Sequence, residues 1–331
     1  MLEPRVGQAR HRDQNLSGKV HPKPPIHIPN MDPRAVPGKP PGYGQNATLT
    51  TLRRKVISLR PRSPYVRGMI RTAALVALLA APALATTQDD VLSAKLRSGW
   101  QTENGSQMAA LDLTLAPGWK TYWRSPGDAG IPPRFDWTGS ENVKSVRLHW
   151  PAPQVFLTNG MQTIGYHDRL VLPVEITPED PSRPIRLKVR MELGICDEIC
   201  LPAALDLASD LARPGAADSN IRAALSQRAT TAQEAGVTGV SCQVDPITDG
   251  LRLTARVDLP DPGLTEVVAF ETADKAVWVA AAVTERQGGK LVAMTELVPP
   301  SGAPFALDRS KVTMTILAAG GAVEVKGCPA P

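Results

Sequence analysis

The stretch Ile185-Arg-Leu-Lys-Val-Arg-Met-Glu-Leu-Gly-Ile-Cys-Asp-Glu-Ile-Cys-Leu-Pro-Ala203 indicates how this chain folds. Apolar and polar residues alternate from Ile185 to Met191, as expected for a β-strand that buries one face. The strand runs towards Cys196 and Cys200, which only three residues separate. A β-structure that carries a close pair of thiols is therefore the first prediction.

The sequence before this stretch also has the pattern of a mostly β protein. Alternating segments lie at residues 108–115, 143–150 and 170–176, and turn-forming proline and glycine residues separate them. Short strands at such spacing favour a β-sandwich.

A break at residues 213–219 separates this β region from the rest of the chain. The segment is rich in small residues and contains proline and glycine, which is typical of a linker. Asp218 or Ser219 is suited to cap a helix that runs through Arg228 and ends near Gly236.

Strand patterns return after the break, at residues 251–257, 277–280, 291–294 and 312–316. Gly288-Gly289 is expected to turn a hairpin between the middle two segments. The second half is therefore predicted to be another β-sandwich-like domain. The predicted organisation is a first β domain, a short helical linker and a second β domain, at residues 86–213, 214–236 and 237–331.

Residues 69–85 have the composition of a secretory signal peptide. A basic start is followed by a short apolar run and by the small-residue cleavage motif Ala83-Leu84-Ala85. The apolar run is far shorter than the roughly 20 residues that span a bilayer, which disfavours a permanent membrane anchor. Residues 1–68 are rich in proline and basic residues, so we interpret them as a disordered leader or an incorrectly assigned start.

The charge of the exported part excludes nucleic acid as a predicted partner. The whole chain has a net charge of +5, but 14 of its 37 basic residues and only 3 of its 32 acidic residues lie in residues 1–85. The remainder carries about −6. The basic character therefore belongs to a segment that is predicted to be removed.

All four cysteines lie in the predicted mature chain, and their spacing ranks the possible pairings. Cys196 and Cys200 are close enough for a local bridge, which leaves Cys242 to pair with Cys328. In an oxidising compartment the second bridge would be structural and worth around 4 kcal/mol. The first bridge closes a loop of only five residues and therefore gives little entropic stabilisation, so this disulfide is expected to be reduced more easily.

The close pair has the arrangement that thiol–disulfide exchange needs. One thiolate attacks a partner disulfide, and a second cysteine nearby resolves the mixed disulfide. Asp197 and Glu198 lie between the two cysteines, and their negative charge is expected to raise the pKa of a neighbouring thiol. Leu201-Pro202 stiffens the chain after the pair.

Spacing and export alone leave two other interpretations open. Exported proteins commonly carry inert bridges, so a static disulfide that pins a loop explains Cys196 and Cys200 equally well. A copper or zinc site would need further ligands, and only His149 and His167 remain after residue 85. Neither histidine is spaced as a partner of the thiolates, so no metal site is predicted.

Three motifs occur in an order that matches a known family. Gly165-Tyr-His-Asp-Arg-Leu-Val-Leu-Pro-Val-Glu-Ile176 is followed about twenty residues later by Cys196 and then by Cys200-Leu-Pro202. Together with Pro117-Gly-Trp-Lys-Thr-Tyr-Trp-Arg-Ser-Pro-Gly-Asp-Ala-Gly130, this order resembles the amino-terminal domain of the DsbD and ScsB thiol-disulfide reductases. The resemblance implies an immunoglobulin-like periplasmic domain, whose cysteine pair receives electrons from a membrane partner and passes them to oxidised periplasmic proteins.

The resemblance also assigns roles to individual residues. Cys196 and Cys200 correspond to the redox pair, and Cys200, before the Leu-Pro step, to the cysteine that forms mixed disulfides. Phe156 falls in the stretch equivalent to the family's cap loop, in which an aromatic residue shields the pair. Tyr122 matches an aromatic position near the active site, although an ordinary core tyrosine has the same pattern.

Two features differ from the best-known members of the family. The cysteine spacing is shorter, and the sequence after Gly99 has no apolar run near 18 residues and no thioredoxin-like CxxC motif. We therefore expect a soluble periplasmic component of a protein-disulfide reductase that uses no cofactor. Its expected partners are a membrane electron donor of the CcdA or DsbD type and a client that is thioredoxin-like or a disulfide isomerase. The competing prediction is a non-enzymatic, immunoglobulin-like binding or copper-tolerance module with two structural disulfides.

Overall fold

A computed structural model describes residues 87–158 and 160–331 of the chain. The predicted leader at 1–68 and the predicted signal peptide at 69–85 lie outside these residues. The described residues belong to one compact unit, Pro82–Pro331. None of their helices is long and apolar enough to cross a membrane.

The first half forms two antiparallel sheets, which we call the first sandwich. A four-residue helix, α1 (Gln88–Val91), precedes it. The first sheet has the order β1-β2-β8-β5, with β1 (Leu92–Gln101), β2 (Gln107–Leu115), β5 (Ser145–Leu148) and β8 (Arg169–Thr177). The second has the order β10-β9-β3-β7-β6, with β3 (Lys120–Tyr122), β6 (Gln154–Thr158), β7 (Met161–His167), β9 (Ile185–Cys196) and β10 (Cys200–Leu211), and β4 (Arg134–Asp136) pairs with β9.

The second half also forms two sheets, which we call the second sandwich. One has the order β11-β19-β18-β14, with β11 (Thr230–Thr231), β14 (Val267–Glu271), β18 (Thr313–Ala318) and β19 (Gly321–Lys326). The other has the order β12-β13-β17-β15, with β12 (Gly239–Ile247), β13 (Gly250–Asp258), β15 (Trp278–Val279), β16 (Val283–Gln287) and β17 (Lys290–Val298), and β16 also pairs with β17. A short 3₁₀ helix, Arg309–Lys311, precedes β18. The mostly β prediction is therefore confirmed.

Each sandwich has an apolar core, and the two sandwiches also pack against each other. Fully buried side chains such as Leu111, Leu172 and Leu187 fill the first core, which lies between the two sheets. Ala269 and Leu317 of the second sandwich belong to the same cluster. The second sandwich also has its own cluster of buried residues.

The connection between the sandwiches corrects one prediction. Helix α2 (Ser219–Ser226) is capped by the Asp218 side chain, which accepts hydrogen bonds from the backbone of Asn220 and Ile221. The helix ends at Ser226, not near Gly236 as predicted. After it, Arg228 forms an isolated β-bridge with Pro151, and β11 then pairs in parallel with β19. Pairing with distant strands therefore replaces the continued helix.

The predicted hairpin of the second half is also only partly right. Gly288-Gly289 turns the chain between β16 and β17, as predicted. The strand expected at residues 277–280 is instead the separate β15, because Trp278 pairs with Val298 at the far end of β17. The strand that enters the turn begins at Val283.

Candidate functional site

Cys196 and Cys200 close the hairpin between β9 and β10. Cys196 is the last residue of β9, Cys200 is the first of β10, and the two lie opposite each other in the antiparallel ladder. The structure joins them in a disulfide whose Cα atoms are 4.1 Å apart. Residues 197–199 form the tip, where the Asp197 N–H donates to the Ile199 carbonyl oxygen at 3.0 Å.

The two cysteines of this pair differ in exposure. Cys196 is 1% exposed, whereas Cys200 is exposed at the protein surface. Beside it, Ile199 is 59% exposed. Cys200 is therefore the cysteine that an incoming thiolate can approach from solvent, whereas Cys196 is shielded from the surface.

Cys196 is buried although it does not face the core of the sandwich. Alternate residues of β9, ending with Leu193 and Ile195, point into that core, so Gly194 and Cys196 lie on the outer face of the sheet. Both are nevertheless buried. Tyr122 of β3 and Ile131 of the loop after β3 lie over Gly194, and the Tyr122 side chain also reaches Cys196.

The hydroxyl of Tyr122 contacts the disulfide directly. It donates a hydrogen bond to Cys196 Sγ at 3.0 Å and lies 3.5 Å from Cys200 Sγ. Tyr122 is only 3% exposed, and its burial raises the pKa of the phenol above its ordinary value. The hydroxyl thus keeps its proton at neutral pH and remains a donor to the sulfur.

The sheet register places Tyr122 at this position. β3 pairs with β9, with Lys120 opposite Cys196, and the Thr121 hydroxyl donates to the Gly194 carbonyl oxygen at 3.0 Å. Gly194 leaves room for the aromatic ring, since a Cβ atom there would lie 3.1 Å from Tyr122 Cε2. A glycine within a strand commonly marks such a close approach.

Phe156, the predicted cap residue, lies on the same outer face of the sheet but farther along it. In the sheet, Cys196 pairs with Lys120, and Lys120 pairs with His167 of β7. Phe156 pairs with Thr163, which lies on the same face of β7 as His167. All these residues therefore share the outer face of the sheet. The ring packs against His167 with centroids 5.0 Å apart, and Lys120 Nζ lies 5.2 Å from its centroid. With three strand spacings between them, β6 is roughly 14 Å from β9.

A comparison with known families identifies this part of the chain. The family model described as "Thiol:disulfide interchange protein DsbD, N-terminal" matches residues 88–211. Residues 88–211 belong to the DsbD N-terminal domain family. The match includes both cysteines of the pair and Tyr122, and it confirms the resemblance drawn from the motifs.

Among solved structures, the N-terminal periplasmic domain of ScsB from Proteus mirabilis is similar in fold. The TM-score is 0.57 at 22% sequence identity, and the overlap covers 74% of this chain and 96% of that chain. The shared fold therefore extends beyond the DsbD N-terminal segment into the second sandwich. No curated protein matches the sequence.

The second disulfide lies outside the DsbD N-terminal segment. Cys242 and Cys328 are at most 1% exposed and are bonded to each other in the core of the second sandwich. The Cys242 N–H donates to the Pro329 carbonyl oxygen at 2.7 Å. This bridge therefore ties the last residues of the chain to β12.

The two histidines considered as metal ligands lie in different surroundings. His149 Nε2 is 2.9 Å from Glu175 Oε2, whereas His167 packs against Phe156. Within residues 87–158 and 160–331, no group of three or more His, Cys, Asp or Glu residues is placed to hold a metal ion.

The sequence did not indicate which residues hold Tyr122 in place beside the disulfide. Gly194 was part of the quoted strand, and its place within the alternation was a signal of close backbone or ring approach. Gly165 lies opposite Tyr122 in β7, where a Cβ atom would overlap the Thr121 carbonyl oxygen. Ile131 carried no such signal, because its contact depends on how the loop after β3 folds back.

Proposed function

We propose that this chain is a periplasmic thiol–disulfide exchange protein. It receives electrons from a membrane donor of the CcdA or DsbD type and passes them to oxidised periplasmic proteins of the thioredoxin-like or disulfide isomerase class. The observation that carries this proposal is the asymmetric disulfide, with Cys200 exposed and Cys196 buried against Tyr122 in a DsbD N-terminal family domain. The periplasmic origin of the similar ScsB domain supports the compartment, as does the predicted signal peptide.

The first half-reaction loads the pair with two electrons. A donor thiolate attacks Cys200 Sγ, a donor–Cys200 disulfide forms, and the Cys196–Cys200 bond breaks with its electron pair on Cys196. The Tyr122 hydroxyl stabilises this thiolate, since it lies 3.0 Å from the sulfur. The donor's second thiolate then attacks the donor's first sulfur, which is bonded to Cys200, and releases the Cys200 thiolate. The donor leaves oxidised, and proton uptake from solvent gives two thiols.

The second half-reaction passes the two electrons from the cysteine pair to a client disulfide. The Cys200 thiolate attacks a client disulfide, and one client sulfur leaves as a thiolate. Cys196 then attacks Cys200 Sγ, which re-forms the Cys196–Cys200 disulfide and releases the second client thiolate. The protein's own cysteines carry the electrons throughout, so the cycle uses no bound cofactor.

The remaining site residues have supporting roles in this proposal. Phe156 screens the outer face on which the pair lies, a role supported by its shared face and by its contacts with Lys120 and His167. The Cys242–Cys328 disulfide is structural and does not exchange, which its burial supports.

Equilibration with glutathione buffers of graded potential tests the function. The protein is quenched by alkylation, and the labelled cysteines are mapped by mass spectrometry. We expect Cys196 and Cys200 to become reduced together while Cys242 and Cys328 remain bonded. Equal resistance of both disulfides would refute the relay and leave the binding-module alternative.

A matched pair of variants tests the order of attack. Cys196→Ser leaves an exposed thiol at Cys200, which should form a mixed disulfide with oxidised glutathione readily. Cys200→Ser leaves only the thiol of Cys196, which is 1% exposed and should react much more slowly. The reverse ranking would contradict the proposed roles.

A further inference from the structure

Arg124 connects the loop after β3 to the second sandwich. Its Nε donates to both carboxylate oxygens of Glu271 at 3.1 and 3.0 Å, and its Nη2 donates to Glu324 Oε2 at 2.9 Å. The Glu271 side chain is only 10% exposed. The guanidinium also lies 4.4 Å from the ring centroid of the buried Trp123. The Arg124 and Glu324 side chains are 28% and 26% exposed, so the network is partly buried and less screened by water than a fully exposed ion pair.

The same loop has further anchors on either side. Asp128 accepts a hydrogen bond from the Ala281 N–H of the second sandwich at 2.9 Å. Towards β7, the Trp123 N–H donates to the Ile164 carbonyl oxygen at 3.0 Å, and the Ile164 N–H donates to the Pro126 carbonyl oxygen at 2.9 Å. The loop is thus held between β7 and the second sandwich.

This anchored loop packs on the ring that contacts the disulfide. A Cβ atom at Gly130 would lie 2.9 Å from Tyr122 Cδ1, so the loop backbone is against one edge of the ring. The next residue, Ile131, approaches Gly194, where a Cβ atom would lie 3.0 Å from Ile131 Cβ and 3.1 Å from Tyr122 Cε2. The ring is therefore confined between the loop and β9, and its hydroxyl is directed at Cys196 Sγ.

We propose that Arg124 is a positioning residue for the redox disulfide. It holds the loop after β3 to the second sandwich, and the loop keeps the Tyr122 hydroxyl on the sulfur of Cys196. The second sandwich then supports the exchange site through Glu271 and Glu324, which hold Arg124. This inference rests on the proposed exchange function and assigns that function a structural requirement outside the DsbD N-terminal segment.

The test measures the rate at which reduced glutathione opens the Cys196–Cys200 disulfide. Arg124→Gln removes the fork that bridges the two glutamates, and we expect a rate roughly threefold lower because Tyr122 is held less well. Arg286→Gln is the matched control, since Arg286 binds the buried Glu266 of the second sandwich at 2.6 and 2.7 Å. It should lower stability without changing the rate. Asp128→Ala removes an exposed anchor of the same loop and should also lower the rate. It provides the test if Arg124→Gln does not fold.

A double variant separates positioning from a general loss of structure. If Arg124 acts through Tyr122, Arg124→Gln should add no further slowing to Tyr122→Phe. Additive rate losses, or an Arg124→Gln rate equal to that of the wild type, would overturn the proposal. A wild-type disulfide that glutathione does not open would instead refute the exchange function itself.

Discussion

The hydroxyl of Tyr122 lies 3.0 Å from Cys196 Sγ and 3.5 Å from Cys200 Sγ, so a single buried donor is within reach of both sulfurs. Burial keeps this hydroxyl protonated, because it raises the pKa of Tyr122. A neutral donor stabilises a thiolate that forms beside it without adding a charge of its own. The chemistry of the pair is therefore expected to depend on this contact.

Tyr122→Phe removes the hydroxyl and keeps the ring. We expect the disulfide to be opened by glutathione about tenfold more slowly, since a hydrogen bond to a charged group contributes about 1.5–3 kcal/mol. Quenched-flow alkylation measures the rate, and urea unfolding provides the control for stability. An unchanged rate in a variant that is as stable as the wild type would show that the contact is only structural.

Phe156→Ala tests the proposed screening of the outer face. The variant removes the ring that packs on His167 and lies over Lys120, so alkylation of reduced Cys200 should become roughly threefold faster. Leu157→Ala is the matched control, because Leu157 is 77% exposed and lies on the opposite face of the same strand. Equal alkylation rates in both variants would argue against a cap role.

Replacing Cys242 and Cys328 together by serine tests the structural disulfide. The bridge closes a loop with a sequence separation of 86 residues, so its loss should lower the free energy of unfolding by around 4 kcal/mol. The rate at which glutathione opens the Cys196–Cys200 disulfide should stay the same below the unfolding transition. A change in that rate in the folded variant would mean that the two disulfides are coupled.

Asp112→Asn tests the buried ionic network of the first sandwich. The Asp112 side chain is 2% exposed and receives hydrogen bonds from Arg97 Nε at 2.6 Å and Arg169 Nε at 2.9 Å. Burial alone would raise its pKa, but the two arginines outweigh burial and leave the pKa below its ordinary value. The variant should lose about 2 kcal/mol of stability at neutral pH, as charged hydrogen bonds are removed.

The same network has a predictable pH dependence. Because the folded state lowers the pKa of Asp112, its contribution is present above the unfolded pKa of about 3.9 and is lost as the pH falls through the lower folded value. Urea unfolding between neutral pH and pH 3 should therefore show a smaller loss of stability in acid for Asp112→Asn than for the wild type. Identical losses would contradict this assignment.

Much of the fold could be predicted because several strands, such as the first part of β9, bury one face and leave the other in water. The alternation from Ile185 to Met191 corresponds to the first part of β9, and Gly288-Gly289 turns the predicted hairpin. Predictions failed where pairing with distant strands outweighed local preference. The helix stops at Ser226 because the following residues pair with Pro151 and β19, and no local pattern reports such partners.

The local disulfide between Cys196 and Cys200 could be predicted from residue type and spacing, because a tight turn of three residues brings two such cysteines within bonding distance. The difference between the two cysteines could not. Cys196 is buried by Tyr122, which is 74 residues away in sequence, and the ring is confined by a loop that Arg124 ties to the second sandwich. Alternation in a strand reports which residues share a face, but only the packing of distant segments determines whether that face is covered.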